Sequence, residues 1–354
     1  MVDLFTPLTA GALDLNNRIL MAPLTRCRAD EGHIPSDIMA THYAQRASSG
    51  LLIAEATMVM EGCSAFWKEP GIYNQEQVIA WKRVTDAVHH AGGKIVLQLW
   101  HGGRACHPDL NDDAVPVAPS AIAIGNEMVY TPKGKQNYTQ PRALETAEIK
   151  TIVEGFAIAA RYAQQAGFDG VEVHGANGYL IDQFLRSGSN HRDDAYGGSL
   201  ENRACFLFEV LDAVCAVWGS DRVGLRISPL NSFNDMQDEN PIGLTTYLAQ
   251  RLNSYQLAYV HLMRSDGYGK QTGDLLTPMR QHYQGVLVAN MGYTAEEARQ
   301  AVQSGAVDAV AFGTAYIANP DLVERIRKGA PLNQADPNTF YTQGEQGYND
   351  YPAL

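Results

Sequence analysis

Three side chains with reactive heteroatoms crowd the end of one short apolar run, His174, Asn177 and Tyr179 in VEVHGANGYL. A histidine and an asparagine offer hydrogen-bond donors suited to a substrate oxygen, and a phenol offers a proton. Gly175 and Gly178 break the backbone around them, and a helix-like segment, Tyr179 to Arg186, follows. Two more polar residues stand inside apolar runs. Gln98 interrupts IVLQLW, where a buried amide is costly unless its hydrogen bonds are met. Arg226 lies between Leu225 and Ile227, and a buried guanidinium needs an anion or several acceptors. A bound ligand could serve, and so could a core carboxylate such as Glu55 or Glu172.

The elements that must position these groups follow from periodicity. Apolar strand candidates recur at Arg18–Ala22, Leu51–Val59, Lys94–Trp100, Gly170–His174, Val223–Ser228, Tyr259–Met263, Val286–Asn290 and Ala309–Gly313. Helical patterns separate them: Thr146 opens one that closes at Gly167, and Thr294 with Glu297 forms a capping box. Alternating strand and helix implies a parallel sheet, and eight such units favour an α/β fold of the (β/α)8 barrel type, a single domain spanning 1–354. No G-x-G-x-x-G turn follows a strand, which weakens an open dinucleotide-binding sheet. Leu4–Leu15 is expected to cap the bottom of the barrel, 102–143 to form a lid insertion after the third strand, and 336–354 to form an aromatic tail.

In a barrel of this kind function sits where strands end. The sequence puts Pro23-Leu24-Thr25-Arg26 after strand one, Glu55-Ala56-Thr57 at two and Gln98-Leu99-Trp100-His101 at three. Asn290-Met291-Gly292 and Gly313-Thr314 end strands seven and eight, where barrels commonly bind phosphate. Each feature alone has a plain reading: a glycine after a strand is ordinary turn chemistry, and a lone histidine is more often structural. Their joint occurrence on one rim shifts the balance.

Charge narrows the partners. With 27 basic and 39 acidic residues the formal charge is -12, no footprint for nucleic acid or an anionic membrane surface. The opening MVDLFTPLTAG lacks the marks of a signal peptide and no apolar run is long enough to span a bilayer, so the chain reads as cytoplasmic. Five scattered cysteines without C-x-x-C spacing read as reduced thiols, with no metal site indicated.

Taken in order, these residues resemble the old yellow enzyme family of FMN-dependent ene-reductases, in pattern similar to its bacterial N-ethylmaleimide and nitrate-ester reductases. The resemblance runs nearly end to end. It includes Ala22 to Arg26, Gln98 to His101, His174 to Leu180, Asn190 to Ser199 with Asn202-Arg203, Leu225 to Pro229, Ala318 to Leu322 and Tyr348 to Pro352. It implies tightly bound, non-covalent FMN, with NAD(P)H as reductant and ping-pong hydride transfer to activated alkenes: α,β-unsaturated carbonyls, maleimides and nitroalkenes, with nitrate esters or nitroaromatics as further acceptors.

Position by position, the resemblance has Thr25 tune the flavin, with Pro23, Leu24 and Ala56 against its ring and Gln98 and Arg226 at its pyrimidine side. Asn290, Met291, Gly292, Gly313 and Thr314 would complete the cofactor site. His174 and Asn177 would grip the substrate oxygen, Tyr179 would deliver the proton, and Trp100, Phe66 and Tyr341 would line the substrate slot. Two departures stand out. Thr314 follows Gly313 where many relatives carry a phosphate-binding arginine, leaving Arg264 as a candidate replacement. Asn177 stands where some relatives have a second histidine, and it cannot carry charge. Competing readings are a metal-assisted lyase or isomerase using His174 with Glu55 or Glu172, and a flavoprotein that binds phenols without turnover. A monomer or homodimer acting on small molecules is expected.

Overall fold

A computed structural model describes residues 2–354. Eight parallel strands, β1 (Ile19–Met21), β2 (Leu51–Met58), β3 (Ile95–Trp100), β4 (Gly170–Gly175), β5 (Val223–Ile227), β6 (Tyr259–Met263), β7 (Leu287–Asn290) and β8 (Ala309–Phe312), form a closed barrel. β8 pairs with β1 through Val310 opposite Ile19, which closes the ring. The expected strands all form, most of them a residue shorter at one or both ends.

Side-chain alternation divides each strand between two environments. Leu97, Leu99, Val171, Val173, Leu225, Ile227, Val260 and Leu262 face outward and belong to the core under the helices. Each fully buried aliphatic chain contributes roughly 1.5–3 kcal/mol, the main force holding the helices to the sheet. The alternate positions face inward and change character with height. Leu20, Leu51, Ile53, Val96, Tyr259, Val288 and Ala309 fill the lower layer, closed by Ala10, Leu13 and Leu15 of the N-terminal hairpin Leu8–Ala10 and Leu13–Leu15. Gly224 makes room for the Tyr259 ring, since an added Cβ would lie 2.3 Å from its Cζ. Above them Gln98, Glu172, His174, Arg226 and His261 form a buried polar layer. Register sets it: Gln98 is opposite Glu172, and His174, Arg226 and His261 are neighbours across β4, β5 and β6.

The helix expected to open at Thr146 runs Thr146–Gln165, and Glu145 caps it, its backbone N–H donating to Glu148 at 2.8 Å. The Thr294 and Glu297 box forms as expected before Ala295–Gln303.

Two long segments frame the upper rim. Within 102–143, Met128–Thr131 and Gly134–Asn137 make an antiparallel hairpin that we call the strap. It is hooked to the loop after β5: Asp235 accepts from the Gly125 amide at 2.9 Å and from Asn126 at 2.8 Å. The C-terminal tail is tied to the loop after β1. Arg28 donates to the carbonyls of Thr339 and Phe340, Arg26 donates to that of Gly347, and Tyr348 stacks on His42 at 3.8 Å.

Candidate functional site

The ends of β1 to β5 open into a cavity of about 350 Å³. Pro23, Leu24 and Thr25 reach it from the loop after β1, and Ala56 from an irregular step in the β2–β3 register between Ala54 and Thr57. Gln98 comes from β3, His174, Asn177 and Tyr179 from the end of β4, and Arg226 from β5; Phe66, Thr314 and Tyr341, also expected, line it as well.

Glu172 organises the floor. It accepts from Gln98 Nε2 at 2.7 Å and from His261 Nδ1 at 3.0 Å. Burial lowers His261 below its usual range, so the ring is neutral and Nδ1 carries the donated proton. Because a carboxylate only accepts, the Gln98 amide nitrogen must face Glu172, which leaves Gln98 Oε1 as a free acceptor. Among the described residues Arg226 forms no ion pair within 4 Å; its Nη2 donates to Asn290 Oδ1 at 2.9 Å, and its Nε is buried without a partner there. Neither Glu55 nor Glu172 therefore pairs with it directly. Glu55 instead accepts from the Arg26 amide and the Tyr43 hydroxyl, both at 3.2 Å, and burial raises it to about 7.

The wall is a chain of amides with a fixed sense. The Phe233 backbone N–H donates to Asn231 Oδ1 at 3.2 Å, so Asn231 Nδ2 faces away and donates to Asn177 Oδ1 at 2.7 Å. The Asn177 NH2 is thereby left for the cavity. Its backbone sits at φ 58°, a left-handed conformation that asparagine tolerates, held by its N–H on Ser228 Oγ at 2.8 Å and its carbonyl under Asn234 Nδ2 at 2.9 Å. Gly178 follows at φ 72°, and a Cβ there would lie 2.8 Å from the Phe233 carbonyl oxygen.

His174 is 3% exposed, and burial, with Arg226 and His261 adding to it, holds it well below its usual pKa. It is a neutral ring at neutral pH, with Nδ1 buried and unpartnered. Tyr179, at the start of the helix Leu180–Leu185, is pushed well above 10 by burial and keeps its proton. Its ring meets His174 edge-on at 5.2 Å and Trp100 at 5.1 Å.

Several expected residues stand elsewhere. Trp100 is fully buried and lines no described cavity; it packs behind Tyr179, its indole N–H without a partner. Asn290 acts one step back, through Arg226 and the Ala311 carbonyl. Met291, Gly292 and Gly313 lie beyond this cavity, and Gly313, at φ -98° with only Leu24 Cδ2 within 4 Å of an added Cβ, is not held to glycine by the fold. Arg264 lies over the Tyr293 ring at 3.7 Å and donates to the carbonyls of Met291 and Gly292. It therefore sits on the rim where a phosphate was expected.

For a lyase using His174 with Glu55 or Glu172, both carboxyl groups are already engaged by protein donors. Among the described residues no three His, Cys, Asp or Glu side chains are grouped to hold a metal ion. A flavin fits the donor set better. Orphaned Arg226 Nε, free Gln98 Oε1 and the Thr25 hydroxyl suit a planar ring edge that alternates carbonyl oxygens with an N–H.

Sequence reasoning missed Asn231, Phe233, Tyr138 and Glu127. Asn231 left one trace, an amide just beyond the β5 strand end; the others come from the strap and the β5 loop, whose paths no periodicity reveals. A second cavity of about 570 Å³ shares Phe66, Tyr179, Phe233 and Tyr341 with the first and runs beneath the strap past Tyr138 and Glu127.

Comparison with known proteins gives the family. A model of the NADH:flavin oxidoreductase / NADH oxidase family matches residues 3–333. A probable flavin mononucleotide-dependent alkene reductase of Leishmania infantum is 54% identical over 98% of this chain and 96% of its own. The 12-oxophytodienoate reductase 1 of Oryza sativa is 43% identical over 100% of this chain and 93% of its own. Among solved structures, morphinone reductase superposes with a TM-score of 0.96 at 45% identity, covering 100% of this chain and 96% of that one. The old yellow enzyme of Trypanosoma cruzi gives 0.96 at 44%, covering 99% of both. A further structure of morphinone reductase holds tetrahydroNAD.

Proposed function

The chain belongs to the NADH:flavin oxidoreductase / NADH oxidase family, as an FMN-dependent alkene reductase of the old yellow enzyme type, and on that premise we propose how its residues divide the work. Thr25, Gln98 and Arg226 hold the flavin ring, and Met291, Gly292, Gly313 and Thr314, with Arg264 beside them, receive its phosphate. Bound there, FMN supplies hydride transfer from NAD(P)H to the β-carbon of an alkene conjugated to a carbonyl or nitro group. His174 and the Asn177 NH2 donate to the substrate oxygen, which draws electron density from the double bond and stabilises the charge that develops there. Tyr179 passes its phenolic proton to the α-carbon. A phenol that burial keeps fully protonated is a weak acid, suited to a carbon that has become enolate-like.

The observation that carries this reading is the convergence on one cavity of two neutral donors and a protonated phenol from one strand end, above an arginine whose Nε has no protein partner. The purified protein is expected to show flavin absorption that bleaches anaerobically with NADPH or NADH and returns on adding 2-cyclohexenone. A colourless protein with no response to added FMN would overturn the reading. So would activity that a chelator abolishes in flavin-free protein.

A further inference from the structure

The larger cavity, beneath the strap, differs from the first in its chemistry. Phe66, Tyr138, Phe233 and Tyr341 supply aromatic walls, and among the described residues Glu127 is the one charged residue that lines it. Glu127 Oε1 accepts from the Asn234 backbone N–H at 2.8 Å, and the Asn234 side chain donates to the Asn177 carbonyl. One residue therefore connects the carboxyl group to the segment that holds the substrate donors. Asp235, hooked to the strap, adds a second negative charge nearby, and Lys270 is the cation that Glu127 feels most. Lys68 and Lys135 lie over the Trp67 and Tyr130 rings, which also line the cavity, and Lys68 is paired with Glu31; neither lysine itself lines it. Burial raises Glu127 above the usual carboxylate range, and the Asn234 amide and Lys270 hold it back.

Aromatic faces carry a negative quadrupole that attracts cations, and a carboxylate in a partly desolvated slot adds a full charge of the same sign. An anionic group would meet that charge with no lining cation to offset it. We infer that this cavity receives the far arm of the alkene substrate, and that Glu127 makes it select an arm bearing an amine or quaternary ammonium over one bearing a carboxylate. The inference rests on the alkene-reductase reading, because the arm is defined by a head group held at His174 and Asn177.

The test uses the holoenzyme at mildly alkaline pH and low salt. Its substrates are 2-cyclohexenones with one alkyl spacer ended by trimethylammonium, tert-butyl or carboxylate, alongside the unsubstituted enone. The ratio of kcat/KM, cation over anion, should be about tenfold or more in the native enzyme. It should fall to about threefold or less in Glu127→Gln, whose side-chain carbonyl can still accept from Asn234. Screening by about 0.5 M salt should compress the native ratio even if the variant fails to fold. A native ratio near one, an anion preferred, a ratio that salt leaves unchanged, or the same ratio in Glu127→Gln would each overturn the inference. Because the unsubstituted enone reports on the head-group site alone, its failure to react would instead sink the alkene-reductase reading.

Discussion

Replacing Asn231 by aspartate tests the amide chain that aims Asn177. In the native protein the Phe233 N–H fixes Asn231 Oδ1, Asn231 Nδ2 fixes Asn177 Oδ1, and the Asn177 NH2 is left for the substrate. Aspartate can still accept from Phe233, but its second oxygen also accepts, so Asn177 must turn its NH2 toward residue 231 and its carbonyl toward the cavity. One oxyanion donor is lost and a lone pair takes its place. Losing one such donor costs roughly 10²–10³-fold in rate, or about 2.7–4 kcal/mol. Stopped-flow reoxidation of NADPH-reduced Asn231→Asp by 2-cyclohexenone should slow by about that factor. In Asn231→Ala, where Asn177 is free to adopt either sense, it should slow by roughly tenfold. Both variants should keep bound flavin, because Asn231 lies outside the flavin-facing set. The reasoning fails if Asn177→Ala slows reoxidation by roughly 10²-fold while Asn231→Asp stays within about threefold of native.

Tyr179→Phe should leave flavin reduction by NADPH within about threefold of native but slow enone turnover by roughly 10²–10⁴-fold, seen by separate rapid-mixing of the two halves; equal effects on both would remove Tyr179 from its role. The pH profile of enone reoxidation should be flat between about pH 6.5 and 10. Burial depresses His174, which is therefore neutral throughout that window, and raises Tyr179, which is therefore protonated throughout it. A limb inside the window that disappears in Tyr179→Phe would contradict those directions, whereas a limb near 7 that disappears in Glu55→Gln belongs to the buried carboxyl under the Arg26 amide. Gly178→Ala should destabilise by about 1 kcal/mol or more in denaturant titration and weaken substrate binding, since its Cβ would press on the Phe233 carbonyl at a positive φ; an unchanged midpoint would refute the steric argument.

Much of the barrel was legible because its signals are local. The apolar runs LLIAEATM and VGLRI and the turn residues after them are written in consecutive positions, and the strands follow within a residue or so. Gln98 and Arg226 stood out as polar residues in apolar runs and His174 at the end of one, and a barrel gathers strand ends on one rim. The helix start at Thr146 was legible too, while its cap, Glu145, works through a reciprocal bond that residue order alone did not reveal. The resemblance put Trp100 in the slot, whereas the folded chain buries it with its ring edge-on to Tyr179 at 5.1 Å.

By itself the sequence determined the (β/α)8 architecture, the strand ends that carry chemistry and the family, all of which rest on residue order and short-range periodicity. The tertiary structure alone decided which way each polar group points and which remain free. Gln98 meets its fixing partner 74 residues away, and Asn177 meets its own 54 residues away. The strap carries Glu127 to Asn234, 107 residues on. An amide or a carboxyl group takes its chemical sense from the atom opposite, and in a closed barrel that atom belongs to another strand or loop.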